Sequence, residues 1–295
     1  MDYPVQSENL TKRFDKVTAL DGVSLAIRPQ SIVGLLGRNG CGKTTFLHHV
    51  VGLYLPTEGE LQTLGKDSSQ LGHGQLARIG FVPQEIRLLD WMTVEHHLRY
   101  VSSFYSKWDS DRQDRLLEEL DLDPSARVGA LSTGNLQKLA ILLAVCHHPK
   151  LLLLDEPVSD LDPIVRARFL EFLLEVLRED QATILVSSHI LRDVEKIVDW
   201  VVCLDEGRVI AAAGLDDLKE QYAEWRVVSA EGDLPESFTE PFVLEQQISG
   251  REGLLRVRVD KADLSAFCVA YGATVEARPL NLEQMFPLFL EGAGR

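Results

Sequence analysis

Apolar residues recur in this chain with two periods, and the alternation of those periods marks out an α/β core. Short unbroken apolar runs, Ser31–Leu36 (SIVGLL), Leu151–Leu154 and Ala182–Val186, read as strands buried on both faces. Between them lie stretches with apolar residues three and four apart, which predict helices. These run from about Lys43, over Trp91–Phe104 and Asp111–Leu120, up to His148, and over Pro163–Arg178 and Ile190–Val198. Short strands alternating with helices imply a largely parallel sheet. Residues 1–30 differ: Ser7–Thr11 and Val23–Ile27 predict short strands around a turn, an antiparallel lead-in. Asp162-Pro163 opens its helix with a carboxylate cap and then a proline, whose missing N–H costs nothing in the first turn.

Beyond about residue 215 the pattern changes. Glu231–Pro241 is rich in Gly, Pro, Ser and acids and reads as a loop. Leu254–Val259 alternates like a half-buried strand, Lys261–Tyr271 reads as a helix, Ala273–Ala277 as a strand and Leu282–Leu290 as a last helix. Asn281, with Gln284 three residues on, resembles a capping box. The expected organisation is a first domain over 1–221, with a helical subdomain at about 85–135, and a small accessory α+β domain over 222–295.

The chemistry sits at strand ends. Gly37-Arg38-Asn39-Gly40-Cys41-Gly42-Lys43-Thr44 fits the phosphate-loop pattern G-x-x-x-x-G-K-[ST], and it lies between a predicted strand and a predicted helix, as that motif requires. Its glycines permit positive φ and let amides approach phosphate, while the helix N-terminus adds partial positive charge. Lys43 is expected to reach the β- and γ-phosphates, Thr44 to ligate Mg²⁺ and Thr45 to assist with a phosphate contact. The strand Leu151–Leu154 ends in Asp155-Glu156, which aims both carboxylates at the ligand crevice of a parallel sheet. Asp155 suits Mg²⁺, and Glu156 suits orienting or deprotonating the attacking water. The fold class expected is therefore α/β: a P-loop NTPase core with a mainly parallel sheet, an N-terminal antiparallel β subdomain, a helical subdomain and the C-terminal α+β domain.

Five further segments occur in order over roughly residues 5–215. Leu131-Ser132-Thr133-Gly134-Asn135 resembles the signature motif of ATP-binding-cassette (ABC) ATPases, and Phe81-Val82-Pro83-Gln84 resembles their Q-loop. Ser159-Asp160-Leu161-Asp162 resembles the D-loop, Ser187-Ser188-His189 the switch histidine, and Phe14 the aromatic that stacks on adenine. The resemblance implies that Gln84 senses Mg²⁺ and the γ-phosphate, that His189 holds the γ-phosphate and the attacking water, and that Asp162 communicates between sites. It also implies a head-to-tail pair of ATPase subunits, a homodimer, in which Ser132 and Gly134 of one copy close over ATP held by the other. Thr133 and Asn135 depart from the consensus Leu-Ser-Gly-Gly-Gln, while Ser132 and Gly134 keep the phosphate-contacting positions.

Charge and composition then narrow the partners. A formal net charge of −15 argues against a broad nucleic-acid surface and against direct docking on anionic lipid. No apolar run approaches the ~20 residues that span a bilayer, and no secretion signal opens the chain. Cys41, Cys146, Cys203 and Cys268 form no Cys-x-x-Cys pair, which fits a reducing cytosol. The adjacent pairs His48-His49, His96-His97 and His147-His148 point about 100° apart on a helix and do not suggest a metal site. The expected cofactors are ATP and Mg²⁺. Phe104–Asp109, Leu151–Pro157, Ser187–Ile190 and the tail Thr274–Leu290 resemble bacterial exporter ATPases that work with ABC-2-like permeases. That resemblance implies an export ATPase held at the cytoplasmic face of the membrane by separate transmembrane permease subunits. The competing class, a soluble ABC ATPase acting on nucleic acid or ribosomes, usually carries two cassettes, a long coiled coil or a basic linker, none of which this chain has.

Overall fold

The computed structural model describes residues 3–158 and 163–293. The chain divides into two units, Met1–Ala212 and Ala213–Arg295. The first opens with the hairpin β1 (Val5–Phe14) and β2 (Val17–Ile27). Both strands outrun the short segments expected, because register slips between Ser7 and Leu10 and between Leu10 and Lys12 interrupt the apolar alternation. Then follow β3 (Ile32–Leu36), α1 (Lys43–Val50), β4 (Glu58–Thr63), β5 (Lys66–Asp67), α2 (His73–Leu76) and β6 (Ile79–Val82). Next come α3 (Val94–Ser102), α4 (Ser110–Glu119), α5 (Thr133–Val145), β7 (Leu151–Asp155), α6 (Pro163–Asp180) and β8 (Thr183–Ser188). The last elements are α7 (Leu191–Val194), β9 (Trp200–Asp205) and β10 (Arg208–Gly214).

Two sheets carry this unit. One is antiparallel, in the order β2-β1-β4-β5; the other runs β10-β9-β3-β8-β7-β6. In the second, β3 pairs in parallel with β8 and β9, and β7 pairs in parallel with β8 and β6. The C-terminal ends of β3, β8 and β7 therefore lie side by side, and each leads into one of the motifs described above. Phe46, Leu47 and Val50 of α1 pack with Leu10 and Leu20 of the hairpin and with Val33 and Leu35 of β3, so the first helix is clamped between the sheets. Strand β4 was not marked by the apolar pattern, since it buries only Leu61 and Thr63. The helix expected over Ile190–Val198 keeps only α7; beyond it Ile197 N–H bonds back to Val194 O, a tighter turn that delivers the chain to β9. The helix expected from Trp91 begins at Val94, where the Thr93 hydroxyl accepts from His96 N–H at 3.2 Å.

The second unit contains α8 (Leu215–Gln221), β11 (Tyr222–Ser229), β12 (Val243–Ser249), β13 (Glu252–Arg258), α9 (Leu264–Tyr271), β14 (Ala273–Pro279) and α10 (Leu282–Ala293). Its strands form an antiparallel sheet in the order β12-β13-β11-β14 around Trp225, Phe242 and Phe267. The capping box at Asn281 is reciprocal: Gln284 N–H donates to Asn281 Oδ1 and Asn281 N–H to Gln284 Oε1, each at 3.0 Å. Among the described residues no helix is long and apolar enough to cross a membrane.

Candidate functional site

The loop after β3 takes conformations that L side chains avoid: φ is 156° at Gly37, 80° at Gly40 and 110° at Gly42. Gly42 stands at the start of α1 with no side-chain cap, so the amides of the first turn are left for an external acceptor. Lys43, 6% exposed, folds back over this loop. Its ammonium donates to Gly37 O at 2.8 Å and to Arg38 O at 3.3 Å, and lies 3.7 Å from Glu156 Oε1. Cys41 is buried beneath the loop, and burial pushes its thiol pKa up, so it stands as a packed neutral thiol. Arg38, Asn39 and Gly40 are exposed, and Thr44 and Thr45 are half-buried on the first turn of α1.

Asp155 closes β7 and is fully buried. Its Oδ1 accepts from the Ser187 hydroxyl at 2.5 Å, whereas Oδ2 has no hydrogen-bond partner. A buried carboxylate oxygen without a donor is costly, and it is a ready ligand for a hard cation. With the Thr44 hydroxyl, the donor set is all oxygen, which fits Mg²⁺. Glu156 follows with φ 51°, a left-handed turn that aims its carboxylate back across the crevice. Its Oε2 lies 2.8 Å from His189 Nδ1 and accepts from the His189 N–H at 3.3 Å. A carboxylate only accepts, so Nδ1 carries a proton toward Glu156, and Nε2 lies on an exposed ring.

Sequence reasoning named these groups, and the fold brings Lys43, Asp155, Glu156 and His189 into one network. Other expected residues lie outside it. Gln84 is exposed on the loop after β6. Phe14 is 40% exposed at the end of β1, with its ring edge-on to Tyr54 at 5.3 Å and Lys12 Nζ 4.9 Å from its centroid. Ser132 caps α5, accepting from Asn135 N–H at 3.2 Å, and is exposed, with Gly134 half-buried beside it. Asp162 and the rest of Ser159–Asp162 lie outside the described residues. What sequence reasoning missed is Ser187, quoted as the first residue of Ser187-Ser188-His189 and of Ser187–Ile190 but given no role. The available signal was that an apolar run, Ile184–Val186, ends in buried hydroxyls rather than in another aliphatic residue.

Residues 20–159 match the family model for the ABC transporter. The chain is 30% identical over 290 residues to the Nod factor export ATP-binding protein I of Cupriavidus metallidurans, covering 96% of this chain and 95% of that one. The chain belongs to the ABC transporter ATP-binding family. It is also 28% identical over 262 residues to the bacitracin transport ATP-binding protein BcrA of Enterococcus faecalis, covering 87% of this chain and 84% of the relative. Among solved structures it resembles the ATP-binding subunit of an ABC transporter, with 30% identity and a TM-score of 0.65 over 74% of this chain and 92% of that one. It also resembles a dimeric ATP-binding cassette in a post-hydrolysis state bound to ADP and Pi, with 26% identity and a TM-score of 0.64 over 72% of this chain and 98% of that one. This ABC protein is thus an ATP-binding and ATP-hydrolysing transporter subunit, with the P-loop NTPase fold. Its relatives favour that reading over an ATPase working on nucleic acid or ribosomes.

Proposed function

We propose that this subunit couples ATP-driven closure of a homodimer to conformational change in separate membrane-spanning permease subunits, and that the cargo moves outward. One observation carries the catalytic part: Lys43, Glu156 and His189 share a single network beside the unpartnered oxygen of Asp155. The amides of Gly37–Thr45 and the Lys43 ammonium grip the phosphates, and the Phe14 ring receives adenine. Thr44, Asp155 and Gln84 hold Mg²⁺, which when bound neutralises charge on the phosphates. Glu156 takes the proton of the attacking water, and His189, held through Nδ1 by Glu156, presents its Nε2 edge to the γ-phosphate side. Ser132 and Gly134 of a second copy close the site from above. Asp162 relays between the two sites.

The relatives named for Nod factor export and bacitracin transport support the exporter reading. Trp91, Tyr100 and Phe104, all exposed, present apolar surface at the helical subdomain, and such surface suits a permease contact. The subunit then sits peripherally at the cytoplasmic face of the membrane, without inserting and without nucleic acid. ATP chemistry belongs to residues 1–221, and residues 222–295 act as an accessory domain that steadies the dimer or contacts the permease. The test is Glu156→Gln. It is expected to bind ATP normally, turn over at least about 100-fold more slowly, accumulate as a closed dimer and co-purify with a hydrophobic membrane subunit. Turnover near the wild-type rate would remove Glu156 as base, and co-purification with ribosomes or RNA instead would remove the transporter role.

A further inference from the structure

Strands β7 and β8 run in parallel with Asp155 opposite Ser187, and Ser187 is level with Leu35 of β3. The position is fully buried between the phosphate-loop strand and the strand that ends in Asp155. The preceding residues of β8, Ile184–Val186, are aliphatic, so a hydroxyl here demands partners. It has two. Ser187 Oγ donates to Asp155 Oδ1 at 2.5 Å and accepts from the Glu156 N–H at 2.9 Å.

The direction of both bonds is forced. An amide can only donate, so Oγ must accept from Glu156, and its one proton must go to the carboxylate. Asp155 is thereby pinned by one oxygen, while the other is buried without a hydrogen-bond partner. The second bond holds the Glu156 amide where φ is 51°, a left-handed conformation that disfavours a residue with a Cβ. From that turn, and not from an extended strand end, the Glu156 carboxylate meets Lys43 and His189.

The geometry points to Ser187 as a positioning residue of the hydrolytic centre, one hydroxyl that sets both the cation-facing oxygen of Asp155 and the backbone turn of Glu156. This rests on the roles proposed above for those two carboxylates. Ser187 acts through them, and the phosphate grip is built elsewhere, from the loop amides and Lys43. Its loss is therefore expected in metal affinity and in kcat, not in the affinity for metal-free nucleotide.

The experiment uses the full chain with Ser187→Ala, Ser187→Cys, Ser187→Thr and Glu156→Gln. Mn²⁺ serves as the metal probe, titrated by electron paramagnetic resonance in the presence of AMP-PNP, and amide exchange is followed over the segment containing Glu156. Ser187→Ala is expected to weaken Mn²⁺ binding and lower kcat by roughly 10–100-fold, with the affinity for metal-free AMP-PNP within about two-fold and faster exchange at Glu156. Ser187→Cys fills the same space with a weak donor and is expected to follow alanine, which gives the reading if alanine does not fold. Ser187→Thr keeps the hydroxyl and is expected to restore Mn²⁺ binding. Wild-type metal affinity and turnover in the alanine or cysteine variant, with Glu156→Gln inactive, would overturn the role of Ser187 alone. A threonine variant as impaired as alanine would also overturn it, because volume rather than the hydroxyl would then matter. Full turnover in Glu156→Gln would instead remove the assignment of the carboxylates, and the Ser187 role with it.

Discussion

At the residue scale the phosphate loop separates glycines that are obligatory from glycines that are merely convenient. A Cβ added at Gly42 would lie 2.5 Å from the backbone carbonyl of Ala19, and φ there is 110°, so both sterics and torsion oppose any side chain. Gly40 has φ 80° but open space around it. Gly42→Ala is therefore expected to displace the start of α1 from the hairpin and abolish ATP binding, while Gly40→Ala keeps measurable affinity. Titration with a fluorescent ATP analogue separates the two, and equal losses in both variants would show that torsion alone governs the loop. The motif itself requires glycine at 42 and leaves position 40 open, but it does not say why. The carbonyl that excludes a side chain at Gly42 comes from β2, and no local spacing reveals that approach.

At the element scale, α4 is tied to the α/β core by one buried guanidinium. Arg112, 4% exposed, donates to both oxygens of Asp180 at 2.7 and 3.2 Å, to Glu179 at 2.8 Å and to Val145 O at 3.2 Å. Asp109 caps the same helix by accepting from the Arg112 N–H at 2.8 Å, and that bond chiefly holds its carboxyl below the usual carboxylate range. Breaking such a pair from one side leaves a charge buried, so Arg112→Met is expected to cost about 3–5 kcal/mol in urea unfolding. Arg112→Met combined with Asp180→Asn should recover part of that loss, since the stranded carboxylate is gone. A single-variant loss under about 1 kcal/mol would show the pair to be incidental. This cluster joins Arg112 to residues at the ends of α5 and α6, far away in sequence, so periodicity had no means of showing it. What periodicity did show were the elements with unbroken or regularly spaced apolar faces: β3, β7, β8, α4 and α6. It failed where burial is partial, as in β4, and where turns interrupt a face, as after α7, and it also passed over the buried run of β9 and the alternation of β11.

At the scale of the whole molecule, two properties emerge that belong to no single element. His49, His97 and His147 are buried, and burial lowers the pKa of each from the ordinary 6.5. His97 also has a ring nitrogen without a hydrogen-bond partner, so a second proton there would be stranded in the interior. As pH falls through about 6.5 the unfolded chain takes up protons that the native chain refuses, so stability falls below that pH and is flat above it. Each such proton steepens the slope by about 1.4 kcal/mol per pH unit. Thermal melts between pH 8 and 5 should therefore lose stability well before the carboxylates titrate. His147→Phe, which keeps a ring stacked on Tyr105, should flatten the slope; an unchanged slope would mean that His147 ionises in the native state. The second property concerns the site itself. Lys43 lies in the network with Glu156, whereas Ser132 caps α5 and is exposed, and within one chain no hydrogen bond among the described residues joins the two. If Ser132 acts on ATP held by a second copy, the two defects are separable between subunits. Lys43→Ala and Ser132→Arg should each be inactive alone. Mixed in equal amounts they form heterodimers in half the pairs, each with one doubly defective and one intact site. The mixture should then regain about a quarter of the wild-type rate, given two-fold symmetry and independent sites. Activity that stays at the level of the parents would mean that Ser132 works within its own chain.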